Sequence, residues 1–268
     1  MSPLIALLVL AVVQGLTEYL PVSSSGHLVL VRLLTGEDDV LPTGAVIEVW
    51  LHLGTLLAVL LFYRERIFKL AQGVLGGGVD VANQRRLFLL LIVGTIPAGL
   101  VGVLFEKQLE VLFNNPTLVG VALLLTGMVL WASRSIPDRK GDLLRLTVKA
   151  ALLIGVVQAF AIAPGISRSG MTIVAGMVLG LSVESAAAFS FLLSIPAILG
   201  AAVLKVPHIF AGEGEPEVPL MHLFLSFVTA FGVGLAALGM LLWLARGQKL
   251  SWFAPYCWAA GVVAISMG

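Results

Sequence analysis

Long apolar stretches separated by short polar segments set the pattern of this chain. A bilayer-crossing helix takes about 20 apolar residues. Six stretches approach that length: Ala45–Tyr63, Leu87–Phe105, Thr117–Ala132, Glu184–Leu204, Met221–Ala245 and Trp252–Ser266. Two further apolar regions are too short on either side of a proline. Leu4–Glu18 and Ser24–Leu34 flank Pro21, while Leu146–Ala163 and Ile173–Leu181 flank Pro164 and Gly165. Proline lacks the N–H and its ring clashes with the preceding turn, so it stops a helix. Each broken pair predicts a re-entrant helical hairpin, which membrane depth tolerates only inside protein or along a polar cavity. Between these elements, Glu37-Asp38-Asp39 with Pro42 predicts a connecting loop. The segment 64–86, with Gly76-Gly77-Gly78, predicts a flexible loop, Pro97 a kink in its span, and Gly212–Pro219 an acidic surface loop.

The two broken pairs are related. Val12-Val13-Gln14 matches Val156-Val157-Gln158, and the glutamines lie 144 positions apart. At the same offset Ser23 falls on Ser167, Ser25 on Ser169 and Gly26 on Gly170. An ungapped run of matches flanked by similar span patterns reads as an internal repeat. The expected fold is an all-α integral membrane protein with one membrane domain over residues 1–268. It has six transmembrane helices plus two re-entrant hairpins, in repeats of about 1–134 and 146–268. A hairpin returns to its own side and three spans cross an odd number of times. The second copy is therefore inverted, which lets the polar tips meet near the midplane, as membrane inverted repeats commonly do.

Composition agrees with the pattern. The chain is 59% hydrophobic and 12% charged, against about 25% charged residues in soluble domains. Net charge is +1 and no basic run exceeds two residues, so nucleic acid has no electrostatic footprint here. One cysteine, Cys257, excludes an intrachain disulfide. The first apolar run lacks a basic leader and runs straight into the polar cluster, so it is read as mature structure. Lysine and arginine concentrate in 64–86, 134–149 and 246–249. By the positive-inside rule these segments are cytoplasmic. Both termini and the entrance of the first hairpin then face outward.

The candidate chemistry sits at the breaks. Gln14 and Glu18, four apart, share a helix face. Ser23, Ser24 and Ser25 are N-cap types for the next helix, and His27 falls in its first turn. A helix N-terminus suits phosphate. Glu18 and Arg168 are ionisable groups at re-entrant tips, where charge is expensive and usually functional. A structural ion pair between the hairpins is the plainer reading of the two. Arg168, between Ser167 and Ser169, presents a fork of donors for phosphate oxygens. Ser24 is a candidate nucleophile, with His27 three residues on as a candidate base. Gln14, Glu18 and Glu48 are candidate oxygen ligands for a divalent cation. His52 shares a face with Glu48.

These residues resemble the two signatures of the bacitracin-resistance family of undecaprenyl-pyrophosphate phosphatases. The first is Gln14-x-x-x-Glu18 with Pro21-Val-Ser-Ser-Ser-Gly-His27, and the second is Pro164-Gly-Ile-Ser-Arg-Ser-Gly-Met-Thr172. The likeness extends over nearly the whole chain. It implies hydrolysis of a polyprenyl pyrophosphate at the outer face of the bacterial plasma membrane, recycling a lipid carrier for peptidoglycan synthesis. A divalent cation, magnesium or calcium, is implied too. By position, Ser24 and His27 are the reactive pair, Arg168 the phosphate clamp, and Glu18 with Gln14 the metal or pyrophosphate positioners. Ser23, Ser25, Gly26, Ser167, Ser169 and Thr172 complete the phosphate site. Ser24 is the favoured nucleophile; attack by water or by His27 stands as the alternative. A lipid-carrier transporter using the same cleft, alone or alongside hydrolysis, is the rival function. Membrane lipids are the surrounding partners, and a homodimer is compatible with the sequence.

Overall fold

The computed structural model describes residues 2–35, 45–137, 139–211, 218–247 and 249–268. The expected loop around Glu37–Asp39 and Pro42, and most of the acidic loop, lie outside the described residues. The first hairpin is α1 (Pro3–Tyr19) and α2 (Ser24–Thr35). Ser2 caps α1 by accepting from the Ile5 amide at 3.4 Å, with Pro3 in the first turn where its missing N–H costs nothing. The helix ends at Leu20, extended at φ −65° and ψ 145°, as a residue before proline prefers.

Next come α3 (Ala45–Phe62), α4 (Arg64–Leu75), α5 (Val81–Leu104), α6 (Glu106–Phe113) and α7 (Pro116–Ala132). The segment expected as a flexible loop after Tyr63 is corrected: residues 64–75 are helical, set at 80° to α3. Here Arg64, Arg66, Lys69 and Gln72 alternate with Ile67, Leu70 and Val74, an amphipathic pattern that the charge count alone concealed. Gly76, in the left-handed conformation at φ +86°, closes α4. α5 continues as one helix through Pro97.

The second hairpin is α8 (Val148–Phe160) and α9 (Arg168–Val178), followed by α10 (Val183–Ala211), α11 (Leu220–Arg246) and α12 (Phe253–Met267). Thr147 caps α8 and Ser167 caps α9, each accepting an amide N–H at 3.1 Å. The guanidinium of Arg86 donates to the carbonyls of Leu144 and Leu146, which pins the entry to the second hairpin. Among the described residues there is no β-strand; an isolated bridge joins Gly141 and Leu181.

Among the described residues five helices are long and apolar enough to cross a membrane, or six when α3 and α4 form one bent span. α1 and α8 are shorter apolar helices. α1 packs against α11 and α3, α8 against α5, α7 against α12, and α10 against α3. Glycine permits the closest of these approaches. A Cβ on Gly155 would come within 2.3 Å of the Gly94 carbonyl oxygen, so α8 touches α5 backbone to backbone. The main core gathers around Tyr19, Phe189 and Phe191, with Tyr19 edge-on to Phe191 at 5.5 Å. Leu89, Leu100, Val103 and Trp243 are exposed on the outer surface. So much exposed apolar surface needs lipid around it, and the chain is a multi-pass membrane protein.

Candidate active site

The two breaks differ in backbone and meet in space. Ser23 sits in the left-handed region at φ +71°, a conformation that costs a non-glycine residue about 1–3 kcal/mol and is typical of functional sites. It starts α2: its hydroxyl accepts from the Gly26 amide at 3.3 Å and its carbonyl from the His27 amide at 3.1 Å. In the second break the left-handed residue is Gly165, at φ +90°. Here only glycine fits, since a Cβ would lie 2.3 Å from the Val119 carbonyl oxygen. The Thr126 hydroxyl on α7 clamps this turn, donating to the Gly165 carbonyl at 3.0 Å and accepting from the Ser167 amide at 3.1 Å.

Across the interface the Ser169 hydroxyl donates to the Leu20 carbonyl at 3.1 Å. A Cβ on Gly26 would lie 3.1 Å from the Gly165 Cα, so the tips are in contact. The carboxylate of Glu18, 5% exposed, is the hub of the junction. One oxygen, Oε1, takes a charge-assisted hydrogen bond from Arg168. The other, Oε2, accepts from Ser24 Oγ at 2.8 Å and from the Gln14 amide at 2.9 Å. His52 Nε2 approaches the same oxygen at 3.8 Å.

Ser24 and His27 do not form the expected pair. His27 Nδ1 lies 2.7 Å from the Ser23 carbonyl oxygen and Nε2 lies 2.6 Å from the Tyr256 hydroxyl on α12. The left-handed start at Ser23 gives the Ser24 hydroxyl to Glu18 and the His27 ring to α12, against which Tyr256 stacks at 5.5 Å. Spacing along a helix placed the two residues in the same turn and said nothing of which neighbours each would meet.

A cavity of about 740 Å³ opens beside the hub. Glu18, Ser23, Ser24, Ser25, Ser167, Arg168 and Ser169 line its polar end, with Glu48, His52 and Gln158. Most of its apolar wall comes from α5 and α10, among them Ala98, Gly102, Ile198 and Val203. Gly99, Val103, Leu199 and Val203 line it while being exposed themselves, so the apolar side opens between those two helices. Four expected site residues are absent from the lining, His27 among them with its ring turned to Tyr256. Gly26 packs on Gly165, and Thr172 is tied to the Ser190 hydroxyl at 2.6 Å and to the Arg168 carbonyl at 2.7 Å. Gln14 is fully buried behind Glu18.

Among the described residues no group of three His, Cys, Asp or Glu side chains comes together as a metal site. Glu18 is paired with Arg168, and Glu48 with Lys205. A hard cation such as magnesium is nevertheless often held by one or two carboxylates plus substrate phosphates. Glu18 and Glu48, both lining the cavity, fit that partial donor set. Gln14 stands behind them, outside the lining; its Nε2 donates to Glu18, while its Oε1 has no hydrogen-bond partner. Thr126, Tyr256 and Gln158 are site neighbours that motif reading missed. For Gln158 the signal lay in the repeat, since the position four on is Ile162 where Gln14 has Glu18.

Apolar helices enclosing a carboxylate, a guanidinium and clustered hydroxyls define a membrane-embedded polar site of the kind that handles an amphiphile. The chain belongs to the bacitracin resistance protein BacA family, whose model matches residues 7–263. It is 44% identical to the undecaprenyl-diphosphatase of Desulfatibacillum aliphaticivorans, over 96% of this chain and 95% of that protein. It is 39% identical to the undecaprenyl-diphosphatase of Rhodopirellula baltica, over 99% and 98%. Identity to that of Methanobrevibacter smithii is 42%, over 97% and 96%.

Proposed function

We propose that this chain hydrolyses undecaprenyl pyrophosphate to undecaprenyl phosphate and inorganic phosphate. The observation that carries the reading is the Ser24 hydroxyl bonded to Glu18 at 2.8 Å in a cavity that Arg168 also lines. Phosphoryl transfer needs positioning and charge stabilisation more than covalent chemistry from the protein. Arg168 supplies five N–H donors, enough to hold Glu18 and phosphate oxygens together. The hydroxyls of Ser23, Ser25 and Ser167 add neutral donors, while that of Ser169 is spent on the Leu20 carbonyl. The apolar walls of α5 and α10 suit the first isoprenoid units, and the gap between them leads the tail into lipid.

In the proposed reaction Ser24 Oγ attacks the terminal phosphorus while its proton passes to Glu18 Oε2. The bond from that phosphorus to the bridging oxygen breaks, and undecaprenyl phosphate leaves. Water then attacks the phosphoserine; one of its protons stays on the departing inorganic phosphate and the other passes to solvent, while Glu18 returns the first proton to the serine oxygen as the P–Oγ bond breaks. Glu18 rather than His27 takes the proton because only Glu18 meets the hydroxyl. His27 holds the tip against α12. A divalent cation would be held by Glu18 and Glu48 with phosphate oxygens, and when bound would neutralise charge on the pyrophosphate.

The inverted-repeat arrangement belongs to the same proposal. It is supported by exchanged packing, in which the first helix of each hairpin lies on a long span of the other half: α1 on α11, α8 on α5. With six spans and the basic segments inside, the cavity faces the outer side and both termini lie outside. Arg134 over Trp131 at 3.7 Å and Lys249 over Trp252 at 4.5 Å fit a cytoplasmic interfacial belt. The test is phosphate release from undecaprenyl pyrophosphate by purified protein in detergent, with magnesium or calcium. Release without a second leaflet establishes hydrolysis apart from transport, and no release under either cation ends the proposal.

A further inference from the structure

We propose that Gln158 is a phosphate-binding residue of the cavity, its side-chain amide donating to a phosphate oxygen of the pyrophosphate. The inference rests on the reading of the cavity as a pyrophosphate-lipid site and adds to it a residue outside both signature motifs.

Gln158 is 1% exposed and lines the cavity with Ser167, Arg168 and Ser169. Neither its Nε2 nor its Oε1 meets a hydrogen-bond partner in the protein. Buried polar groups are nearly always paired, and an unpaired one costs the free energy of a lost hydrogen bond. The equivalent glutamine lacks a partner only at its Oε1. Gln14, on α1, donates to Glu18 one turn later at 2.9 Å. One turn after Gln158 the chain has Ile162, which also lines the cavity and has no polar atom to offer. An apolar residue at 158 would fill the same wall without the unpaired amide.

The surroundings select the ligand. Arg168 and the Ser167 hydroxyl give this end of the cavity its donors. Glu18 is already engaged by Arg168, Ser24 and Gln14. With both ends unpaired, the Gln158 amide is free to turn its nitrogen toward an anion. Its oxygen then accepts from the hydroxyl of a partly protonated phosphate.

The experiment uses full-length protein in detergent with magnesium and undecaprenyl pyrophosphate, comparing Gln158→Leu and Gln158→Glu with the parent. One hydrogen bond to a charged group corresponds to about a 10- to 100-fold loss of kcat/KM in Gln158→Leu. The melting temperature of that variant should not fall, because leucine replaces an unpaired amide. Gln158→Glu keeps the shape, repels phosphate and should lose more. Rates within about twofold of the parent in both variants, or losses matched by equal thermal destabilisation, overturn the proposal. If the parent itself releases no phosphate, the hydrolase reading is what fails. Inorganic pyrophosphate then serves as the probe, read by its shift of the melting temperature. A shift in the parent that disappears in Gln158→Leu supports the amide's role, and equal shifts or none overturn it.

Discussion

In the first hairpin the helix after the break begins at Ser24; in the second it begins at Arg168, the equivalent position 144 residues on. Both side chains reach the same carboxylate, Glu18. The hairpins thus share a plan, in which a serine caps a helix whose first residue projects into the cavity, and they differ in what that residue is. They differ again at the position equivalent to Glu18, which lies in the last turn of α1, whereas its counterpart Ile162 lies within the second break. The backbone follows the chemistry only loosely. The first break spans residues 20–23 with its left-handed residue at Ser23, while the second spans 161–167 and turns at Gly165. What the difference teaches is a division of labour: one hairpin holds the Ser24 hydroxyl and the carboxylate it meets, the other the guanidinium and a spare amide. Neither makes a site alone.

Breaking the contribution of the first hairpin should have the largest effect. Ser24→Ala is expected to cut turnover by at least about a thousandfold while leaving the melting temperature unchanged, since it removes an attacking group and little packing. A variant that keeps near-full rate in the phosphate assay would falsify attack by Ser24 and leave direct attack by water. Glu18→Gln should cost about 100- to 10,000-fold as the base is lost. It should also destabilise the fold, because Arg168 is left without its counter-charge; equal rates in Glu18→Gln and the parent would return the base role to His27.

On the second hairpin, Arg168→Ala leaves Glu18 as an uncompensated buried charge, a loss of about 3–5 kcal/mol by thermal melting as well as a loss of turnover. Arg168→Lys keeps the charge without the fork and should recover the stability before the rate. If lysine restores both, a point charge suffices and the bidentate clamp is wrong. The walls that both hairpins depend on give a smaller effect. A Cβ on Gly99, Gly102 or Gly200 meets nothing within 4 Å, so Gly102→Leu should be tolerated thermally. It should raise KM for the long-chain lipid more than for a short prenyl pyrophosphate, and equal changes for both would place the tail elsewhere.

The smallest effect is expected at the junction with α12. Tyr256→Phe removes the hydrogen bond to His27, worth about 1 kcal/mol, or about 2–4 °C in melting temperature for a chain of this size. The rate should hold within about twofold, and a large fall would put His27 back into the chemistry.

Much of the fold was legible because apolar length is a one-dimensional signal. The proline-broken pairs, the spans and the cap serines follow from propensity and from the cost of unpaired backbone in lipid. The helix at 64–75 was hidden because its moment, not its mean hydropathy, carries it. In the site, the meeting of Glu18 with Arg168 was readable as an expensive charge needing a partner. The partner of Ser24 was not, since both Glu18 and His27 lie within a few residues of it and the choice turns on the Ser23 backbone.

By itself, then, the chain's order of residues determined that it lives in a membrane, where its helices break, and which polar groups stand at those breaks, because each is a local consequence of side chain and backbone chemistry. Only tertiary structure decided which of those groups touch. Contact across 150 positions, as between Glu18 and Arg168, depends on how the hairpins dock. So does isolation, as in the unpaired amide of Gln158, which no local pattern can encode because it depends on what every neighbouring helix fails to supply.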